Sequence, residues 1–304
     1  MTNDHERKLL TRRDVLKLAG VGATGLVLRP APALASGGVA AENAAAALYD
    51  ATMCVGCRAC EAACKEWNML PPEPEPPSDT TANTWTLIRQ YRDGPVESFC
   101  KYQCMHCEHP ACVSACPVSA LEKLPDGPVV YDAKKCIGCR YCMVVCPFHI
   151  PKVHWDRVLP EIKKCTFCAD RQAQALEPAC IAACPTGALA FGRREDLIAE
   201  AESRIRSQPD KYVDHIYGKD EAGGTSWMYL SSVPFEQLGL PTLGSEPIPE
   251  LSEKVAVYGT PSVGVGMAAL LGGVYWFTKR RAEQMAQSGV QGEEEASDVS
   301  NDQN

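Results

Sequence analysis

Sixteen of the chain's seventeen cysteines fall into four groups of four, and thiols at that density either bind soft metals or cross-link one another. The groups read Cys54-x2-Cys57-x2-Cys60-x3-Cys64, Cys104-x2-Cys107-x4-Cys112-x3-Cys116-Pro117, Cys136-x2-Cys139-x2-Cys142-x3-Cys146-Pro147 and Cys165-x2-Cys168-x11-Cys180-x3-Cys184-Pro185. The third is, letter for letter, the run that holds a [4Fe–4S] cube. The first lacks the proline, and the second and fourth stretch the middle spacing. Three close thiolates wrap one cube while the fourth starts a helix pointing at a neighbour, so four groups imply four [4Fe–4S] clusters and a chemistry of one-electron transfer.

Two other chemistries compete. Disulfides fit an even number of cysteines in an exported protein, but cysteines three positions apart on one loop do not bridge without strain. Zinc favours Cys-x2-4-Cys pairs set far from a second pair, a pattern that only the fourth group resembles. Neither explains a proline directly after the last cysteine of three groups. No Trp or Asp replaces any of the sixteen, so nothing points to a three-iron cluster. In a two-cluster module the fourth cysteine of each run ligates the other cube, so the groups must be taken in pairs. The gaps from Cys116 to Cys136 and from Cys146 to Cys165 are nearly equal, and spacing alone permits second-with-third or third-with-fourth.

Cys100 belongs to no group and reads as a lone buried thiol. His106, between Cys104 and Cys107, reads either as a hydrogen-bond donor to a cluster sulfur or as a loop-packing residue, the second being the more ordinary role. Serine–histidine–acid and paired-carboxylate arrangements cannot be told from chance, so no catalytic site is assigned to this chain.

The elements that must hold these groups are short. Cysteine makes up about one residue in eight between Cys54 and Cys184, above the roughly 8–10% that marks a cross-linked or metal-bound domain. Gly56 and Gly138 stand where a loop around a cube needs unusual backbone angles and close approach of amides to sulfur. Residues 36–48, small and Ala-rich, read as a tether. Pro71 to Pro77 excludes helix and central strand and reads as a stiff surface insertion. Trp85 to Tyr91 is rich in strand formers and predicts a hairpin arm ahead of the second group. Val129-Val130-Tyr131 and Ala188 to Phe191 are strand candidates. Arg193 to Arg206 puts Leu197, Ile198, Ala201 and Ile205 on one side and predicts an amphipathic helix.

The two ends of the chain speak of location. Residues 1–35 carry Thr11-Arg12-Arg13-Asp14-Val15-Leu16-Lys17, an apolar stretch from Leu18 to Leu28 and Ala33-Leu34-Ala35, the order of parts in a twin-arginine export signal. Val255 to Phe277 contains no charge and is followed by Lys279-Arg280-Arg281, so it predicts a transmembrane helix with its C-terminal end cytoplasmic. Gly264, Ala268 and Gly272 form a smooth ridge suited to a second membrane helix. Residues 278–304 read as a disordered acidic tail on the cytoplasmic side. Net charge is −8 with no basic stripe, which argues against nucleic acid.

The chain resembles the four-cluster iron–sulfur subunits of the molybdopterin-oxidoreductase and membrane-hydrogenase families. The resemblance is carried by Cys54 through Cys64-Lys65-Glu66-x-Asn68, Gln103-Cys104-Met105-His106-Cys107 through Cys116-Pro117-Val118, Cys139-Arg140-Tyr141-Cys142-Met143-Val144-Val145-Cys146-Pro147, and Lys164-Cys165-x2-Cys168. It implies an α+β fold of two interleaved bacterial-ferredoxin-like modules with loop insertions, plus one C-terminal transmembrane helix. The four-cluster domain would span 36–192, with an inner module near 98–160, followed by a helical or irregular extension over 193–254. By resemblance the first group pairs with the fourth and the second with the third. Cys54, Cys57 and Cys60 would share a cube with Cys184, and Cys165, Cys168 and Cys180 one with Cys64. Cys104, Cys107 and Cys112 would take Cys146, and Cys136, Cys139 and Cys142 would take Cys116. The implied partners are a periplasmic catalytic subunit, a [NiFe] hydrogenase first and a formate dehydrogenase or sulfur-compound reductase second, and an integral quinone-reactive membrane subunit.

Overall fold

A computed structural model describes residues 44–155 and 161–301; the export signal and the first part of the tether lie outside them. In chain order the elements are β1 (Ala45–Asp50), α1 (Ala59–Trp67), β2 (Thr86–Asp93), β3 (Val96–Gln103), α2 (Ala111–Ser114), β4 (Leu121–Lys123), β5 (Val129–Tyr131), α3 (Tyr141–Val144), β6 (Lys152–Val153), β7 (Ile162–Lys163), α4 (Ala169–Gln172), α5 (Ala179–Ala182), β8 (Leu189–Arg193), α6 (Arg194–Ser207) and β9 (Trp227–Leu230). The chain then enters α7 (Pro249–Lys254), a π-helical turn (Val255–Gly259) and α8 (Thr260–Asn301). It divides near Lys254 into a cysteine-bearing unit and a helical one.

The cysteine-bearing unit is a mixed helix and sheet structure whose main sheet has the order β8-β1-β9. β1 runs antiparallel to β8 and parallel to β9. Side chains alternate across a strand, so this sheet carries two cores back to back. Ala46 and Leu48 of β1, with Met228 and Leu230 of β9, pack on Leu197, Ala201 and Ile205 of α6. Ala47 and Tyr49, with Trp227 and Tyr229, face the cysteine side together with Phe167, Tyr102 and Phe148. The amphipathic helix expected over 193–206 is thus present, and its inner stripe is buried.

Two expectations are corrected here. Residues 44–48 are not a tether: they enter the central strand, all but Ala45 buried. Alanine is a poor strand former, and a strand covered on both faces shows no alternation, so Ala44 to Leu48 carries no readable strand signal. The extension over 193–254 is likewise more than helical or irregular, because it contributes β9, whose four side chains are all buried.

The hairpin expected at Trp85–Tyr91 is formed by β2 and β3, and Val129–Tyr131 and Leu189–Arg193 are strands. Pro71 to Pro77 forms neither helix nor strand and is largely exposed. Asp50 ends β1 as a buried carboxylate accepting from Thr52 Oγ1 (2.6 Å) and Tyr212 Oη (2.8 Å), with Arg204 at 3.2 Å. That knot fixes the turn that delivers Cys54 from the strand end.

Gly218 shows how closely β9 is approached. Its φ is +90°, and an added Cβ would lie 2.3 Å from the Trp227 carbonyl oxygen and 2.5 Å from Thr225 Oγ1. Gly218→Ala is therefore expected to destabilise the fold by about 1–3 kcal/mol through left-handed backbone strain alone. A thermal melt of the purified holoprotein by circular dichroism checks this; an unchanged midpoint would show that the site yields.

In the helical unit, Ser252–Met285 is 34 residues long and, among the described residues, the one helix apolar enough to cross a membrane. Val263, Leu270, Leu271, Val274 and Phe277 are exposed along it. The tail expected to be disordered continues α8 as far as Asn301. Its Ala, Gln, Glu and Met content favours helix, which the reading from polarity alone passed over.

Candidate cluster-binding site

The four groups repeat one local backbone. The residue two after the first cysteine of each has positive φ: Gly56 (+67°), His106 (+49°), Gly138 (+71°) and Phe167 (+56°). After the fourth cysteine of the three proline-marked groups the third residue does the same: Ser119 (+50°), His149 (+52°) and Gly187 (+66°). Left-handed turns aim successive amides at one side of the loop, and sulfur sits there. Gly138 N–H approaches Cys136 Sγ at 3.4 Å, Phe167 N–H approaches Cys165 Sγ at 3.3 Å, and Ala120 N–H approaches Cys116 Sγ at 3.2 Å. The expected backbone angle is thus present at both Gly56 and Gly138, and the amide approach to sulfur at Gly138. Gly56 is doubly constrained, because a Cβ there would strike the Phe99 ring of β3 at 2.3 Å.

At the two positions without glycine, His106 and Phe167, the rings stack with centroids 5.1 Å apart. His106 is fully buried, and its Nδ1 accepts from Val129 N–H at 2.8 Å. Packing is thus its visible role. The proton then rests on Nε2, a buried donor with no protein acceptor.

Tertiary structure brings the groups together across the chain. One cavity is lined by Cys54, Cys57, Cys60 and Cys184, a second by Cys64, Cys165, Cys168 and Cys180, and a third by Cys116, Cys136, Cys139 and Cys142. Each is lined by three cysteines of one group and one of another, so the three are one kind of site. The remaining four are mutual neighbours: burial first, then the charges of Cys146, Cys104 and Cys112, push the Cys107 thiol well above its ordinary value. α1 packs on α5 and α2 on α3, so the helices carrying the third cysteines meet in the same combinations; Cys116, Cys146 and Cys184 follow their helices rather than start them.

The donor set fits an iron–sulfur cube. No two of the seventeen sulfurs are bonded to each other. Among the described residues no three thiol, imidazole or carboxylate groups converge on a point suited to a lone metal ion; the sulfurs surround a void instead. Burial pushes the Cys60 and Cys64 thiols up to about 12, and Cys146 and Cys168 up to about 11. Four such thiols ionise together only when a cationic centre compensates them. Trp227 Nε1–H, buried without a protein acceptor, belongs to a side chain lining the Cys64 cavity, as a donor to cluster sulfur would.

The burial of three lysines near the cysteine groups escaped sequence reading. Lys101, Lys123 and Lys164 are each almost fully buried. Lys123 Nζ lies 3.4 Å from Glu108 and 3.1 Å from the His106 carbonyl; Lys164 Nζ donates to the carbonyls of Val129 and, at 3.0 Å, Cys165. A lysine near a cysteine group in sequence carries no signal of burial by itself. Cys100, as expected, is a buried thiol outside every group.

Comparison with known proteins agrees with this geometry. A family model described as a 4Fe-4S dicluster domain matches residues 96–194. The chain is 42% identical over 303 residues to a protein of Nitratidesulfovibrio vulgaris strain Hildenborough, covering 93% of this chain and 80% of that one. It is 35% identical over 279 residues to the hydrogenase-2 operon protein HybA of Escherichia coli O157:H7, covering 77% and 84%. It is 37% identical over 199 residues to the iron–sulfur subunit of the nitrate-inducible formate dehydrogenase of Escherichia coli strain K12, covering 61% and 67%. With grouped cysteines around like cavities and relatives of this kind, the chain belongs to the family of 4Fe-4S dicluster iron–sulfur electron-transfer subunits that includes HybA and the formate dehydrogenase iron–sulfur subunits.

Proposed function

We propose that the chain binds four [4Fe–4S] clusters in two interleaved modules and relays electrons between a catalytic subunit and a quinone-reactive membrane subunit. The observation that carries this is the make-up of the three cavities: each takes three cysteines from one group and one from another. On this reading Cys54, Cys57, Cys60 and Cys184 hold one cluster, and Cys165, Cys168, Cys180 and Cys64 its partner. Cys104, Cys107, Cys112 and Cys146 hold a third, and Cys136, Cys139, Cys142 and Cys116 a fourth.

When bound, such clusters supply one-electron steps whose potentials follow hydrogen bonding, charge and solvent exposure. The chain's part is to set those conditions. Amides aimed at Cys116, Cys136 and Cys165 stabilise added negative charge on sulfur. The Phe167, Trp227 and Tyr229 core excludes water from the outer pair. Cys57 and Cys139 stay exposed, which leaves one edge of each module open to a partner.

The proposed location is the periplasmic side of the cytoplasmic membrane, reached by twin-arginine export of the folded chain. A single span over 255–277 would end in the cytoplasm. The catalytic partner is proposed to be a [NiFe] hydrogenase, because likeness to the hydrogenase-2 operon protein extends over 84% of that protein's length. A formate dehydrogenase is the second reading, favoured by 35% identity over 251 residues to the formate dehydrogenase-O iron–sulfur subunit of Escherichia coli strain K12.

Protein purified anaerobically with mild detergent is expected to carry about sixteen irons and sixteen acid-labile sulfides per chain, four of each per cube. Two or fewer irons would end the proposal. Nickel in the co-purified complex supports the hydrogenase partner, and molybdenum without nickel supports the second reading.

A further inference from the structure

Lys101 is 1% exposed and lines two cavities at once, that of Cys54, Cys57, Cys60 and Cys184 and that of Cys64, Cys165, Cys168 and Cys180. Its ammonium donates to Thr86 Oγ1 at 2.6 Å and Gln103 Oε1 at 3.0 Å, and lies 4.5 Å from the centre of the Trp227 ring. Among the described residues it has no carboxylate partner, whereas Lys123 has Glu108. The head group is held in place from behind. Gln103 Nε2 donates to Tyr229 Oη at 2.6 Å, and Tyr229 Oη donates to the Lys101 carbonyl at 3.0 Å.

Two neutral oxygens and a π face do not compensate a buried ammonium, whose desolvation costs several kcal/mol unless opposite charge is near. Cysteine sulfurs line both of the cavities that its side chain borders. Cys60 of one cavity and Cys64, Cys165 and Cys180 of the other share their linings with Lys101, so both sets would present thiolate charge to it once they hold clusters. The pocket is therefore built around a cation whose counter-charge is spread over two sets of cysteines. The cavity of Cys116, Cys136, Cys139 and Cys142 has no buried lysine in its lining; Arg140 there is exposed.

We infer that Lys101 is a shared electrostatic set-point for the two centres of the first and fourth groups, its fixed positive charge raising the reduction potential of both. The inference rests on the cluster reading above. On this inference Lys101 keeps its charge, and each reduction adds one electron and no proton to the pair. A cation beside both centres favours the added charge on either one, so the two are tuned together.

The test replaces Lys101 by Met, which keeps the length and removes the charge, and by Gln, which also keeps a donor for Thr86. All four midpoint potentials are read by paramagnetic resonance during a mediated potentiometric titration of the iron-replete complex. Two of the four are expected to fall, each by at least a tenfold change in the reduction equilibrium, about 59 mV for one electron. The other two should stay where they are. Four unmoved potentials, or four that fall equally, overturn the inference while leaving the cluster reading intact. Loss of iron from both variants makes Lys101 a structural prop and overturns it too. Iron-free unaltered protein would instead undo the cluster reading itself.

Discussion

Replacing Cys64 by serine is expected to remove the centre shared with Cys165, Cys168 and Cys180, and to spare the one at Cys54, Cys57 and Cys60. Along the sequence this is the less obvious outcome, because Cys64 stands four residues from Cys60. In space Cys64 lines the cavity of the fourth group, and Cys184 lines that of the first. Asn68 reinforces the placement: its Nδ2 donates to the Cys64 carbonyl at 2.9 Å and reaches Sγ at 3.6 Å. Double variants turn geometry into counting. Cys64→Ser alone should drop iron from about sixteen to about twelve per chain, and Cys64→Ser with Cys168→Ser should lose no more, because both changes strike one cube. Cys64→Ser with Cys57→Ser should fall to about eight, two cubes being struck. The reverse result, with the Cys57 pair at twelve and the Cys168 pair at eight, would mean that the first group closes on its own cube.

The second large effect concerns location. Ending the chain after Glu253 is expected to move the protein from the carbonate-washed membrane pellet to the soluble fraction, with its iron retained. The uncharged run from Val255 to Phe277 makes a helix about 35 Å long, against a hydrocarbon core of about 30 Å. In water its exposed leucines, valines and aromatics would cost about 25 cal/mol for every Å² of apolar surface. At its far end the Arg280 guanidinium lies 4.4 Å from the Trp276 ring centre, the pairing of a basic group with an interfacial aromatic that anchors helix ends. The cysteine-bearing unit has its own cores, so truncation should leave the clusters in place. A truncated protein that stays in the pellet would show that another segment or subunit holds it there.

Much of the site was legible because cluster loops are local. A turn that wraps sulfur must bend within three residues, so its spacing and its glycines are written in adjacent positions, as Cys136-Ile137-Gly138-Cys139 illustrates. The first hairpin arm, read at 85–91, and the helix, read at 193–206, were legible for the same reason, since periodicity and β-branched content act over one element. The double-sided strand β1 was not, because alanines sealed between two neighbours look like linker when those neighbours are unknown.

By itself, then, the sequence determined which sulfurs cluster, how the chain turns about each set, and where a membrane-length helix lies. Spacing left the pairing open, because two gaps are of nearly equal length; the resemblance implied one, and the tertiary structure shows which groups line a common cavity. It alone placed Trp227 against the fourth group, across a strand pairing with β1 far back in the chain. It alone turned Lys101 from one lysine among many into a charge enclosed between two sets of thiols. The reason is physical: spacing governs what neighbouring residues can wrap, whereas burial of a charge and closure of a cavity depend on surfaces contributed by distant segments, and those meet only on folding.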